Sequence, residues 1–348
     1  MKRNPEIWIG KRRVGVDYAP LVIAEIGINH EGSMEKAKRM IDDAGVAGCE
    51  IVKFQSHVLE DEMAPMARDV IPGNADVSIW DIMARCAFSE AQERELKAYA
   101  ESRGMIYLCT PFSRAAANRL KKMGVIAYKI GSGECNNYPL VEHIAKFGKP
   151  VILSTGMNDI CSIAKSVKIF RTYKTPYALL HCVSMYPTPY KEVRYGAMTQ
   201  MRKAFPDAVL GLSDHSCGIW TCLGAVALGA SILEKHFTSD ATWPGPDIEI
   251  SINPNELRDM IIGSRAIWDA RGGKKAILKE EKLTIDFAYA TVVTIADVKK
   301  GEKFTVKNLW VKRPGTGKIP AEQFPNILGK RATQNIAKDV QLTPKMFR

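Results

Sequence analysis

Leu21-Val22-Ile23-Ala24-Glu25-Ile26-Gly27 is an apolar run broken once, by a carboxylate near its end. The form returns seven times, at Glu50–Phe54, Met105–Cys109, Ala127–Gly131, Pro150–Thr155, Tyr177–Val183, Ala208–Ser213 and Ser231–Phe237. Several of these runs are continuously apolar, as strands buried on both faces of a parallel sheet are. Helical patterns fill the gaps. Ser33 precedes Ala37, Met40, Ile41 and Ala44 on one face, and Ser89 with Gln92 has capping-box spacing. Ser113 opens a helix that stops at Gly124, and Leu223–Leu228 is rich in small apolar residues. Eight strands alternating with helices over about 250 residues predict an α/β fold, a (β/α)8 TIM barrel over residues 21–270. A doubly wound open sheet is the alternative.

Around the barrel the sequence changes character. Residues 1–20 read as a small hairpin, Ile7-Trp8-Ile9 and Arg13-Val14-Gly15-Val16 about Gly10-Lys11. Residues 57–88 read as a long loop of the kind that forms lids. Residues 271–284 read as a charged linker, and residues 285–348 as a compact domain with short strands at Tyr289–Ile295 and Leu309–Lys312. The chain of 348 residues carries a net charge of +11, of which +10 lies in residues 271–348. That balance suits an anionic partner, but a solvated Lys-rich surface accounts for it equally, and no nucleic-acid motif accompanies it. No apolar run is long enough for a membrane span, and Met1-Lys2-Arg3-Asn4-Pro5-Glu6 has no signal-peptide core. None of the eight cysteines forms a CxxC pair, so reduced thiols and a cytoplasmic location are expected.

Active sites of such barrels form at the C-terminal strand ends. All eight ends here carry polar groups: Glu25; Lys53 and Gln55; Thr110; Lys129, Ser132 and Glu134; Ser154 and Thr155; Ser184 and Tyr186; Ser213 and His215; Glu234 and His236. Two lysines among hydroxyls suit a phosphate and a carboxylate. His215 and His236 end neighbouring strands and suit a divalent ion such as Mn²⁺, Fe²⁺, Zn²⁺ or Co²⁺. His181, inside a strand, reads as a satisfied core histidine, His30 and His57 as loop hydrogen-bonding residues, and the six tryptophans as packing.

At these residues the sequence resembles the sialic acid (N-acetylneuraminate) synthases. The matching segments are Ile23–Gly32, Thr110–Ser113, Tyr128–Pro139, Ser154–Met157, Tyr186–Pro189, Gly211–His215, Glu234–Phe237 and Pro244–Asp247. Leu309–Gly315 resembles the family's antifreeze-like (SAF) domain, a small β-clip. The resemblance implies condensation of phosphoenolpyruvate with N-acetylmannosamine, as its open-chain aldehyde, to N-acetylneuraminate and phosphate. It implies Glu25 and Asp247 as catalytic carboxylates, and Lys53, Thr110, Lys129, Ser132, Ser154, Ser184 and Ser213 as phosphoenolpyruvate contacts. Gln55, Asn74, Glu134, Tyr186, Asp247, Phe287 and Arg313 would meet the sugar. His215 and His236 would hold a divalent metal, Mn²⁺ with Mg²⁺ or Co²⁺ as alternatives. A domain-swapped homodimer is implied, with Arg313 lent across it, and neither nucleic acid nor membrane as partner.

The chain departs from the family pattern in three places. Phe54 stands where close relatives tend to have His, Ser184 where they tend to have Asn, and Thr238–Trp243 differs. A legionaminic-type synthase, using a 6-deoxy di-N-acetylated hexosamine, is therefore the near alternative. A metal-dependent aldolase and a sugar- or nucleic-acid-binding protein are remoter ones.

Overall fold

The computed structural model describes residues 3–73 and 75–348. They form two units, Met1–Gly272 and Gly273–Arg348. The first begins with strands β1 (Glu6–Ile9) and β2 (Arg12–Gly15), an antiparallel pair. Then come β3 (Leu21–Gly27), β4 (Ile51–Ser56), β5 (Ile106–Pro111), β6 (Tyr128–Ile130), β7 (Val151–Ser154), β8 (Tyr177–Cys182), β9 (Val209–Asp214) and β10 (Ile232–His236). All their ladders are parallel, in the order β5-β4-β3-β10-β9-β8-β7-β6, and the end strands β5 and β6 lie beside each other. The result is a nearly closed barrel, wrapped by helices.

Alternation along each strand divides the side chains between the barrel interior and the helical layer. Leu21, Ile23, Ile51, Leu108, Ala127, Ile152, Leu180, Val209 and Ile232 share one core at the N-terminal end. Ile7, Ile9 and Val14 of the hairpin belong to this core, so the hairpin closes the bottom of the barrel. The opposite faces, Val22, Ala24, Val52, Tyr107, Leu153, Leu179, Leu210 and Leu233 among them, pack against the helices. Local chemistry sets the helix ends. The Ser33, Ser89 and Ser113 hydroxyls accept from backbone amides three residues on. Helix Arg114–Met123 ends at Gly124, whose φ of 71° is the left-handed conformation that glycine adopts without a Cβ penalty.

Two readings need correction. Residues 57–88 are not an open loop: they hold helices Leu59–Glu62 and Ile79–Cys86 and a 3₁₀ turn at Pro65–Asp69. Ser78 caps the longer helix through the Asp81 amide, a signal that its Ser-x-x-Asp spacing carried. The tryptophans divide: Trp80 is buried, whereas Trp8, Trp220 and Trp310 are about half exposed or more, so those three are not core.

The second unit pairs β11 (Thr291–Thr294) with β12 (Leu309–Lys312), antiparallel. Val292, Val298, Phe304, Leu309, Ile319, Ile327, Ile336 and Leu342 are its core. The stretch read as a linker holds a 3₁₀ turn at Lys279–Glu281 and leads into helix Lys282–Ala288.

Candidate active site

The inner-face alternation that fills the barrel bottom with Leu and Ile brings charged residues to its top. One step along from Ile23 is Glu25, from Ile51 Lys53, from Ala127 Lys129, and from Ile232 Glu234 and His236. With Gln55, Thr110, Phe112, Ser132, Ser154, Ser184, Tyr186, Ser213 and His215 they line a cavity of about 310 Å³.

Its floor is a four-charge cluster. Lys53 Nζ lies 2.8 Å from Glu25 Oε2, 3.1 Å from Thr110 Oγ1 and 3.8 Å from Glu234 Oε1. Lys129 Nζ donates to Ser154 Oγ at 2.8 Å and lies 3.6 Å from Glu234 Oε1. Ser213 Oγ donates to Glu234 Oε1 at 3.1 Å. Burial works against every one of these charges, and the outcomes differ. Burial raises the Glu25 carboxyl above its ordinary value, despite Lys53 beside it. Glu234 is penalised by burial too, but the Lys129 and Lys53 ammonium groups hold it below the usual value. Lys53 is opposed by burial and still raised, by Glu234 and Glu25 together. Lys129, with Glu234 as its main support, is lowered by burial.

Beside Lys129 is a cradle of hydroxyls. The Gly156 amide donates to Ser132 Oγ at 3.0 Å. A Cβ on Gly156 would stand 2.4 Å from Ser184 Oγ and 2.9 Å from Ser132 Oγ, so only glycine leaves this space open. Ser184 Oγ and Glu234 Oε2 are buried without a hydrogen-bond partner among the described residues. Buried polar atoms are rarely left so, and a ligand here would satisfy them.

On the other wall, the His215 and His236 rings lie 5.4 Å apart, and Tyr186 stacks on His215 at 4.1 Å. His215 Nδ1 meets the Val183 carbonyl at 2.9 Å, which frees Nε2 as a ligand atom in the neutral ring. His236 is held neutral by burial. Its Nδ1 has no hydrogen bond among the described residues, and Asp247 Oδ2 stands 3.7 Å away. Burial raises the Asp247 carboxyl to about 6. Among the described residues no group of three or more His, Cys, Asp or Glu is arranged to hold a metal ion.

The remaining residues singled out from the sequence lie outside the cavity lining. Glu134 does not line this cavity. It faces an adjoining apolar one of about 470 Å³ with His57, Glu62, Met66 and Met83. Phe287 and Arg313 sit exposed on the second unit, and Asn74 lies outside the described residues. Phe54 faces the outer layer, packed against Tyr107, so its difference from the family pattern does not alter the cavity. His30 also lies in that layer, stacked on Phe88 at 4.2 Å, and His181 is buried with its Nε2 2.6 Å from the Val193 carbonyl. Glu234, between both lysines, was given no role from sequence, although the alternation Ile232, Glu234, His236 aims it inward. Gly156 was missed as well.

The chain matches the model of the NeuB family over residues 40–276 and that of the SAF domain over residues 289–348. It is 37% identical to N,N'-diacetyllegionaminic acid synthase of Campylobacter jejuni, over 92% of this chain and 97% of that protein. It is 32% identical to N-acetylneuraminate-9-phosphate synthase of Homo sapiens, over 94% of this chain and 92% of that protein. Among solved structures it is similar to the N-acetylneuraminic acid (sialic acid) synthetase of Leptospira borgpetersenii, with a TM-score of 0.74 and 34% identity, covering 81% of this chain and 95% of that one. A barrel whose polar inner face converges on one cavity, followed by a SAF domain and matched along nearly all its length by these synthases, belongs to the NeuB family of sialic acid-type synthases.

Proposed function

We propose that this chain condenses phosphoenolpyruvate with N-acetylmannosamine, giving N-acetylneuraminate and phosphate. The observation that carries the proposal is the buried pair Lys53 and Lys129 beside the open hydroxyl cradle of Ser132, Ser154 and Ser184 around Gly156. Two ammonium groups and several hydroxyls suit a reactant that bears both a phosphate and a carboxylate. With Thr110 and Ser213 they hold it in line, so their contribution is orientation. The enol carbon then forms a bond to the aldehyde carbon of the sugar, the aldehyde C=O π bond opens, and its oxygen takes a proton to become a hydroxyl. Water adds at the resulting cationic C2 and one of its protons goes to a carboxylate. The tetrahedral intermediate then breaks its C2–O bond to phosphate as the new hydroxyl gives up its proton and becomes the C2 carbonyl. Glu25 and Asp247 are the carboxylates for the proton transfer. Burial raises both, which brings them closer to the working range of an acid–base group. Gln55 and Tyr186 line the same cavity, and they, with Phe287, Arg313, Glu134 and Asn74, are assigned to the sugar by resemblance.

A divalent metal fits this set. The lysines and the carboxylates Glu25 and Glu234 already neutralise each other, so a multiply charged anion entering this buried cavity needs further positive charge. His215 and His236, with water and substrate oxygens, would hold the ion, which when bound polarises a carbonyl oxygen. Mn²⁺, the homodimer and the cytoplasmic location belong to the same proposal.

A second acceptor is favoured by the 37% identity to the legionaminic acid synthase: a 6-deoxy di-N-acetylated hexosamine. The test offers phosphoenolpyruvate with a panel of N-acetylated hexosamines and follows product mass and phosphate. N-Acetylneuraminate from N-acetylmannosamine is the expected product. Carbon–carbon bond formation without phosphate release would instead mean an aldolase. Chelation should abolish turnover and Mn²⁺ restore it, and His215→Ala or His236→Ala should lose both metal and turnover. Full activity in chelator would remove the metal from the proposal.

A further inference from the structure

His57 stands outside the reaction just described, yet it is wired to it. Its side chain is 2% exposed and lies flat against Phe112, with centroids 4.8 Å apart and planes 13° from parallel. Its Nδ1 meets Glu62 Oε2 at 2.9 Å, and its Nε2 meets Gln55 Oε1 at 3.1 Å. The Gln55 Nε2 group donates to Glu25 Oε1 at 3.2 Å, and Glu25 Oε2 pairs with Lys53. The chain Glu62–His57–Gln55–Glu25–Lys53 thus runs from the apolar cavity beside the site into its charged floor. Local backbone makes room for it. The β3–β4 register shifts between Glu25 and Gly27, and a Cβ on Gly27 would stand 3.2 Å from Glu25 Oε1 and 3.4 Å from Gln55 Nε2.

Donor and acceptor chemistry gives this chain a direction. An ionised carboxylate only accepts, so Glu25 requires the NH₂ end of Gln55. The Gln55 carbonyl then faces His57, and Nε2 of the imidazole must donate to it. Glu62 Oε2, 2.9 Å from Nδ1, anchors the other side of the ring. We infer that His57 is a positioning residue: with Glu62 it locks the Gln55 amide so that its NH₂, and not its carbonyl, faces Glu25. Without it the amide is free to turn and set oxygen against oxygen. Phe112 prevents the imidazole from tilting away. The functional consequence rests on the proposed role of Glu25 in the condensation.

The test is a double-mutant cycle on the full chain, with phosphoenolpyruvate and the acceptor that supports turnover. His57→Ala should lower kcat roughly tenfold to a hundredfold, the range for a mispositioned reacting group, with KM for phosphoenolpyruvate within about twofold. Combined with Gln55→Ala it should cost nothing further, because His57 acts through Gln55. Imidazole added to His57→Ala can enter from the 470 Å³ cavity and should restore part of kcat, but not in the double variant. A merely structural role for His57 would give neither the rescue nor the non-additivity. Unchanged kcat in His57→Ala, or additive losses, overturns the inference. Should His57→Ala fail to fold, the outer end of the chain reads the same relay. Glu62→Gln keeps an acceptor and should retain kcat within about twofold, while Glu62→Ala should not; equal rates in both overturn it. If the unsubstituted protein turns over no acceptor, the functional reading fails by itself. The relay is then judged by unfolding, where coupling between Gln55→Ala and His57→Ala supports it and additivity overturns it.

Discussion

Strands β9 and β10 carry two sets of buried charges, back to back. On the helix-facing side, Lys235 Nζ pairs with Asp214 Oδ2 at 2.7 Å and donates to the Ser216 carbonyl. Ser216 Oγ donates to both Asp214 oxygens, at 3.0 and 2.9 Å, and meets Thr221 Oγ1 at 2.8 Å. On the cavity side, Glu234 has one oxygen without a hydrogen-bond partner among the described residues and stands 3.6 and 3.8 Å from its two lysines. The outer set is closed and ties two strands to the start of helix Trp220–Ala227. The inner set is open, with more capacity for hydrogen bonds than the protein itself fills. A closed network specifies a fold, whereas an open one is held ready for a ligand.

Breaking each set separately tests that distinction. Lys235→Met leaves Asp214 buried without its ion partner, and should cost about 3–5 kcal/mol of unfolding free energy. Denaturant unfolding measures it, and a loss under about 1 kcal/mol would mean that the outer set is no more structural than the inner one. Lys53→Met and Lys129→Met should behave the other way. Each removes a charge-assisted contact of about 1.5–3 kcal/mol, so KM for phosphoenolpyruvate should rise roughly tenfold or more. The melting temperature of Lys129→Met, which leaves Glu234 with Lys53 still 3.8 Å away, should move less than that of Lys235→Met. A change confined to the sugar's KM would show that the lysines hold the other reactant.

How much of this was legible beforehand follows from the same alternation. Eight apolar runs announced the barrel because burial on both faces leaves a continuous hydrophobic signal. The polar residue ending each run announced the cavity. What the runs could not tell was which polar residue faces which side. Lys235 and Glu234 are adjacent in sequence and differ only in strand parity, one structural and one in the cavity. Gly156 was invisible for another reason: its importance is the absence of a side chain, measured against Ser132 and Ser184 from other segments. His57 read as a loop residue because its partners are Gln55, two residues back, and Glu62, in a short helix that the sequence did not announce.

His30 sharpens the comparison with the smallest effect. It lies in the outer layer, near Phe54 and stacked on Phe88, and its Nδ1 accepts from the Gly32 amide at 3.0 Å. Burial pushes this imidazole down to about 3, offset only in part by a hydrogen bond to the Gly27 backbone. The sign follows from linkage: below the ordinary histidine value of 6.5 the unfolded chain binds a proton that the folded protein refuses. Stability from this residue is therefore complete above about pH 6.5 and falls as pH drops toward 3, by about 1.4 kcal/mol at one unit below the unfolded value. His30→Phe should flatten the acid side of the stability curve relative to the unsubstituted protein, whatever it does to stability at neutral pH. Two curves parallel between pH 6.5 and pH 4.5, a window set by about two units below the unfolded value, would show that His30 accepts its proton without resisting. The outer layer would then hold a titrating group as easily as the cavity does, and the distinction between closed and open networks would lose one of its supports.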